Sequence, residues 1–249
     1  MPPQSNAHLL VPVTANGLAD SVARQLADAI RVGLLVEGEQ LPPESVFAAR
    51  LGVATVTLRE ALASLREQGL VETRRGRHGG TFVVGAASLP ATRLRARLLT
   101  FSVVELRDLG DEWLATTGAA ARLAARRASD AEVARLRRCA TALADAATVA
   151  ERVRANSRFA IELALASQSE RLTRAQVRLQ SEAGELLWSP TATPLEPAVV
   201  AGDLANVADA VAVEDERRAR DLAEQRTSAN VRWLVEARIE LSGEQESGS

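Results

Sequence analysis

The sequence predicts a mostly α protein: three helices and a β-hairpin at the N-terminal end, then an antiparallel all-helical bundle of six or seven helices. Three observations predict it. Helix-forming Ala, Leu, Arg and Glu dominate the 249 residues. Apolar positions recur at helical spacing along most of the chain. Strand-like runs occur only in GLVETRRGRHGGTFVV, residues 69–84.

Residues 1–13 hold Pro2, Pro3 and Pro12 and read as a flexible arm. Leu18, Val22, Leu26, Ile30 and Leu34 then recur every fourth residue, which predicts an amphipathic helix capped by Thr14 or Asn16. Pro42 and Pro43 end the connection that follows, and Glu44 opens a short helix that stops at Gly52. A further helix is expected from about Thr55 to Gln68, with Val56, Leu58, Ala61, Leu62 and Leu65 turned inward and Gly69 as its left-handed stop. Leu70–Thr73 and Thr81–Val84 are the strand-like runs, joined by a loop of arginine, histidine and glycine. Residues 14–85 thus form one domain, and residues 86–100 begin as a linker. Helical patterns follow at 103–127, 130–149, 151–166, 169–188, 196–213 and 215–241, with Asp130 in S-D-A-E as a cap. The bundle domain is expected over 101–241, and the polar residues 242–249 read as a disordered tail.

Composition excludes several classes. One cysteine allows no intramolecular disulfide and no cysteine-built zinc site. The only histidines are His8 and His78, and neither falls in a helical pattern. No apolar run reaches the ~18–20 residues that a membrane helix needs, and the N-terminus lacks the features of a secretory signal. A soluble, cytoplasmic protein without metal or cofactor is expected, and no nucleophile–base pair or phosphate loop argues for an enzyme. The net charge of −2 speaks against a generally basic coat, yet it hides an uneven distribution. Residues 1–85 carry eight arginines and eight acids, but between 59 and 77 five arginines face three acids.

That segment has the parts of a helix-turn-helix. Gly52 sits in a tight turn, and the helix after it opens with Thr55, Thr57 and Arg59. A helix N-terminus with hydroxyls donates to phosphates, and an arginine reads guanine O6 and N7 in the major groove. The stretch LPPESVFAARLGVATVTLREALASLREQGLVETRRGRHGGTFVV resembles the winged helix of the GntR family of bacterial transcription regulators, through L-P-x-E, L-G-V, L-R-E-A-L-x-x-L, G-L-V-E and R-x-G-x-x-x-T-F-V. The resemblance covers about residues 17–85. An all-helical second domain of this length is similar to the FadR-like branch with its FCD-type ligand-binding bundle. The resemblance implies DNA contacts at Ala54, Thr55, Thr57 and Arg59 on the recognition helix and at Arg75, Arg77, His78 and Gly79 on the wing. The chain departs from the family where many members carry Arg after the L-P-x-E glutamate and Ser-Arg at the opening of the recognition helix. Here Ser45 and Ala54-Thr55 stand in those places, so the usual operator consensus is not expected.

Many family members hold a divalent metal with one Asp and three His in the bundle. The resemblance puts Asn156, Ala160, Leu204 and Arg226 at those positions, and no histidine occurs from 79 to 249. Alanine, leucine and arginine do not ligate such a metal. Three readings of the site stay open. Arg226 replaces the metal's charge and binds a carboxylate with Asn156 and Asn230; or Arg226 is a surface or internally paired arginine; or an apolar pocket forms around Trp113, Phe159, Ala160 and Leu204 for an acyl effector. Trp113 also reads as plain core, and Cys139, in line with Leu136 and Leu143, as packing. Arg135, Arg137 and Arg138 read as a solvated face, and the charged run from Glu214 to Arg220 as a helix surface with i,i+4 pairs.

The expected function is therefore a homodimeric, sequence-specific regulator of transcription, in sign a repressor, that binds a short palindromic operator in double-stranded DNA. Its bundle senses a small organic-acid or acyl-type effector without a metal. The alternative is an effector-independent DNA-binding dimer whose bundle only dimerises.

Overall fold

A computed structural model of the chain describes residues 17–76, 79–84, 91–191 and 193–247. The chain divides into two compact units, Met1–Ala87 and Ser88–Ser249.

The first unit holds helices α1 (Leu18–Arg31), α2 (Glu44–Leu51) and α3 (Thr55–Glu67) and the strands β1 (Val71–Arg74) and β2 (Gly80–Val83). Val22, Leu26 and Ile30 of α1 bury the predicted stripe together with Phe47, Leu51, Leu58, Leu62 and Leu65. Gly17, with φ 74°, precedes α1 in place of the expected polar cap; Thr14 and Asn16 lie outside the described residues. Gly52 closes α2 in the left-handed region at φ 67°, and its N–H returns to the end of the helix it stops. This fixes the sharp turn that aims α3. The strands pair antiparallel from Val71 with Val83 to Arg74 with Gly80. A third extended segment was not expected. Gly38 N–H donates to the Val83 carbonyl at 2.9 Å, Val83 N–H to Glu39 at 2.9 Å and Leu41 N–H to Thr81 at 2.9 Å, so residues 38–41 hold the outer side of β2.

Among its described residues the second unit has seven α-helices: α4 (Ala91–Thr100), α5 (Val103–Arg127), α6 (Asp130–Ala144), α7 (Val149–Ala166), α8 (Glu170–Leu179), α9 (Pro197–Ala212) and α10 (Glu216–Ser247). Reciprocal capping boxes begin three of them: Ser102 with Glu105, Ser129 with Glu132 and Thr148 with Glu151. The cap of α6 is thus Ser129, and Asp130 is already its first helical residue. Much of the expected linker 86–100 is α4, because Leu94 and Leu98 bury themselves in the bundle core; residues 85–90 lie outside the described residues. Helix α10 runs through Ser247 and so overturns the tail expected from 242. The Ser242 hydroxyl donates to the Arg238 carbonyl at 2.9 Å and receives the Arg238 guanidinium, and Glu and Gln beyond it are good helix formers.

Helices α5 and α10 pack with little between them. A Cβ on Gly110 would lie 2.6 Å from Val231, and one on Gly118 2.4 Å from the Glu224 carboxylate. Helix α8 does not end cleanly. It passes into a π-helical turn, Gln180–Gly184, and a 3-10 turn, Leu186–Trp188, where one long helix was expected over 169–188. Arg97 of α4 donates to the carbonyls of Ser181 (3.0 Å) and Glu182 (2.9 Å) and pairs with Glu185, so the irregular turn is tied to α4.

Candidate nucleic-acid interface and candidate effector cavity

In the first unit the predicted recognition residues gather at the start of α3. Ala54 is the exposed N-cap (φ −68°, ψ 148°), and no side chain caps the helix. Its first N–H groups are therefore left for solvent or an anion, in the positive end of the helix dipole. Thr55 and Thr57 are half-buried and Arg59 is exposed. Val56 does not turn inward as its spacing suggests; it is 60% exposed on the outer face, since Leu58 and Leu62 already fill the space behind α3. Arg59 is not free in this state: its Nε donates to Glu44 Oε2 at 2.5 Å, across the turn. Sequence reading missed that partner, although Glu44 is the glutamate of the L-P-x-E motif.

On the wing, Arg75 is exposed and has no ion-pair partner among the described residues. Arg74 stacks over Phe82 at 4.5 Å and pairs with Glu72. Gly79 belongs to the turn itself: a Cβ there would come within 2.5 Å of the Arg74 carbonyl oxygen. Its N–H donates to Gly76 at 2.8 Å, and its carbonyl accepts from Gln40 at 3.1 Å. Arg77 and His78 lie outside the described residues.

In the second unit, Trp113, Asn156, Ala160, Leu204, Arg226 and Asn230 line one cavity of about 30 Å³. They come from α5, α7, α9 and α10, so residues more than a hundred positions apart meet there. Thr117, Gln176, Gln180 and Thr227 complete the polar lining and were not singled out from the sequence. Their signal is a polar residue on an otherwise apolar helix face; Gln176 and Gln180 stand one turn apart. Phe159 and Leu163 supply apolar wall, and Trp113, 2% exposed, is core and cavity wall at once.

The polar atoms of this cavity are short of partners. Arg226 Nε, Gln176 Nε2, Gln180 Oε1 and Asn230 Oδ1 are buried with no hydrogen bond among the described residues. Arg226 Nη1 donates to Asp203 Oδ2 at 2.9 Å, with the Arg226 side chain only 10% exposed. Arg226 is thus internally paired through Nη1 and is at the same time a residue of the cavity lining. Unpaired buried polar atoms cost about 1–3 kcal/mol each, so such a cluster marks a place where something polar belongs.

A divalent metal does not fit here. Of the four positions that the family resemblance assigns to it, Ala160 and Leu204 have no donor atom, Arg226 is a cation, and Asn156 offers at most one amide oxygen.

The remaining sequence candidates are structural. Burial pushes the Cys139 thiol up to about 11, with the Glu162 carboxylate adding to it, so the thiol stays protonated and unreactive at neutral pH. Arg137 and Arg138 are exposed, as a solvated face requires, and Arg137 pairs with the exposed Asp209 at 2.8 Å; Arg135 departs from that face and reaches the buried Glu162 at 3.0 Å. Arg217 with Asp221 and Arg220 with Glu224 form the expected i,i+4 pairs.

Comparison with known proteins bears on both units. Residues 18–83 match the model described as bacterial regulatory proteins, gntR family, and residues 117–228 match the FCD domain. RmpR of Mycobacterium gastri, named as an HTH-type transcriptional regulator, is 41% identical over 225 residues, 90% of this chain and 82% of that one. The HTH-type transcriptional regulator Mce2R of Mycobacterium tuberculosis is 42% identical over 67 residues, 27% of this chain and 28% of its own. Among solved structures, Escherichia coli McbR/YncC shares the fold with a TM-score of 0.54 at 17% identity, over 89% of this chain and 99% of that one.

Proposed function

The chain belongs to the GntR family of bacterial regulatory proteins and is a transcriptional regulator with an FCD domain, and we propose that it is a metal-independent, effector-responsive repressor. Two copies grip a two-fold operator, since a palindromic site mirrors a two-fold protein. Repression follows from occlusion of the promoter. No helix among the described residues is long and apolar enough to cross a membrane, and the working compartment is the cytoplasm, where the DNA is.

DNA is read by α3 entering the major groove. Ala54, Thr55 and Thr57 present N–H groups and hydroxyls to phosphate, and Arg59 swings from Glu44 to a base edge. Arg75, Arg77, His78 and Gly79 approach the backbone from the wing. Exchange of one carboxylate partner for another acceptor leaves the arginine satisfied in both states. In the bundle, Arg226, Asn156 and Asn230 receive a small organic acid, whose binding favours one placement of the DNA-reading heads over the other. The observation that carries this half is the unpartnered Arg226 Nε beside the unpartnered Gln176 Nε2, Gln180 Oε1 and Asn230 Oδ1 of residues that line the same cavity. The small volume argues against a long acyl chain, and a bundle that merely dimerises has no use for unpaired buried donors.

Selection from a random duplex library by the purified protein tests the DNA half: a short palindrome is expected, and recovery of unrelated sequences would sink it. Release of that palindrome by a short organic acid, with sodium chloride at equal ionic strength as control, tests the sensing half. Sedimentation on and off the operator reads the dimer.

A further inference from the structure

We propose that Asp203 is a specificity-determining residue that limits the bundle cavity to ligands with a single carboxylate. The inference rests on the effector-sensing reading above and deepens it. Among the described residues, Arg226 is the only charged one that lines the cavity. Among the described residues only its Nη1 has a hydrogen-bond partner, the Asp203 carboxylate at 2.9 Å. The other side of the guanidinium, the Nε–Nη2 edge, is the edge that receives a carboxylate side-on through two parallel hydrogen bonds. Asp203 therefore fixes the plane of the guanidinium from one end and leaves the fork open.

Burial sets the charge balance. The Asp203 side chain is 44% exposed, whereas that of Arg226 is 10% exposed. Water screens the aspartate in part, so the more buried guanidinium prevails inside the cavity, enough for one incoming carboxylate, while a residual negative field from Asp203 remains. A second negative charge finds no cation among the lining residues, and Asp203 adds repulsion. An uncompensated charge in such a site is costly. The remaining unpartnered atoms are complementary to a hydroxyl: Asn230 Oδ1 and Gln180 Oε1 accept, and Gln176 Nε2 donates. The volume of about 30 Å³ favours a skeleton of few carbons.

Three probes on one carbon skeleton separate the possibilities: lactate with one carboxylate, tartronate with two, and neutral lactamide. Calorimetric titration of the full chain is expected to show lactate bound about tenfold or more tighter than either of the others. Asp203→Asn keeps the shape and removes the charge. It is expected to improve tartronate relative to lactate by about tenfold, while Arg226→Lys, which keeps the charge but loses the fork, weakens both acids. An unchanged lactate-to-tartronate ratio in Asp203→Asn overturns the proposal while leaving the acid-sensing reading intact, as does wild-type protein that prefers tartronate. Lactamide bound as tightly as lactate overturns the carboxylate seat. Binding of none of the three to either protein overturns both the seat and the sensing reading.

Discussion

The two units of this molecule handle polarity in opposite ways. Among the described residues, every buried polar or charged side chain lies in the helical bundle, and none lies in the DNA-reading unit. The same holds for the eight buried side-chain atoms without a hydrogen bond. Among the described residues the first unit has an apolar core of leucine, valine, alanine, Ile30 and Phe47, with its polar groups on the outside. The second carries a carboxamide- and arginine-lined hollow inside. A surface that meets a polyanion needs a rigid support and exposed donors; under the proposed sensing role, the hollow is an interior that stays incomplete until a ligand arrives.

This contrast can be broken by mutation, and the largest effect belongs to the first unit. Phe47 is fully buried, and Phe47→Ala should cost about 3–5 kcal/mol of that unit's stability, read in urea from the first melting transition. A loss under 1 kcal/mol would mean that its core is not the tight apolar support described. Next, Arg59→Ala should weaken binding to the selected operator by about 1–3 kcal/mol and relax preference at one base pair. Equal weakening on all sequences would make Arg59 a phosphate contact. In the bundle the sign reverses. Gln176→Met removes a buried donor that lacks a partner but also the oxygen that accepts from the Thr117 hydroxyl at 3.4 Å, so it is combined with Thr117→Val: the ligand-free double variant should gain about 1 kcal/mol while acid binding falls. A loss of stability would show that the amide is held as part of the fold.

The smallest effect concerns the capping boxes. Glu105 and Glu151 accept hydrogen bonds from the backbone and hydroxyl of Ser102 and Thr148, which hold their carboxyls below the usual carboxylate range. A depressed folded-state value adds stability that is full above the unfolded-state value and is lost as pH falls through the folded one. Glu105→Gln and Glu151→Gln should therefore lower the bundle's stability slightly at neutral pH and leave it nearly unchanged in strong acid, so that it falls less steeply below about pH 4.5 than in the wild type. An acid limb as steep as in the wild type would assign the acid sensitivity to other carboxylates.

The two units also differ in how much of them can be read from the chain. The interface in the first is local: the turn at Gly52, the opening of α3 and the wing lie within thirty residues, and helical period and glycine positions fix their order. Local pattern did not reach the through-space partner Glu44 beside Arg59, and period alone put Val56 inside. The bundle's helices were legible through their caps and stripes, but its cavity joins α5, α7, α8, α9 and α10. Asn156, Ala160, Leu204 and Arg226 were found because a family pattern lines them up, not because the sequence brings them near. Gln176 and Gln180 escaped because a glutamine on a helix is ordinarily a surface residue. The π-helical turn was illegible as well: QSEAG has no composition that forbids an ordinary helix.

That turn has a consequence for how such a regulator changes over generations. A π-helical turn amounts to one residue inserted into an α-helix, with both flanks kept in place. Loss of a residue between 181 and 184 would let α8 run on regularly, keep Gln176 on one side and Trp188 on the other, and withdraw the carbonyls that Arg97 holds. Gln180, at the first position of the turn, would face a new direction. A single codon gained or lost there can redraw the wall of the cavity while the bundle around it stays folded, a shorter route to a differently shaped hollow than remodelling the core by successive substitutions.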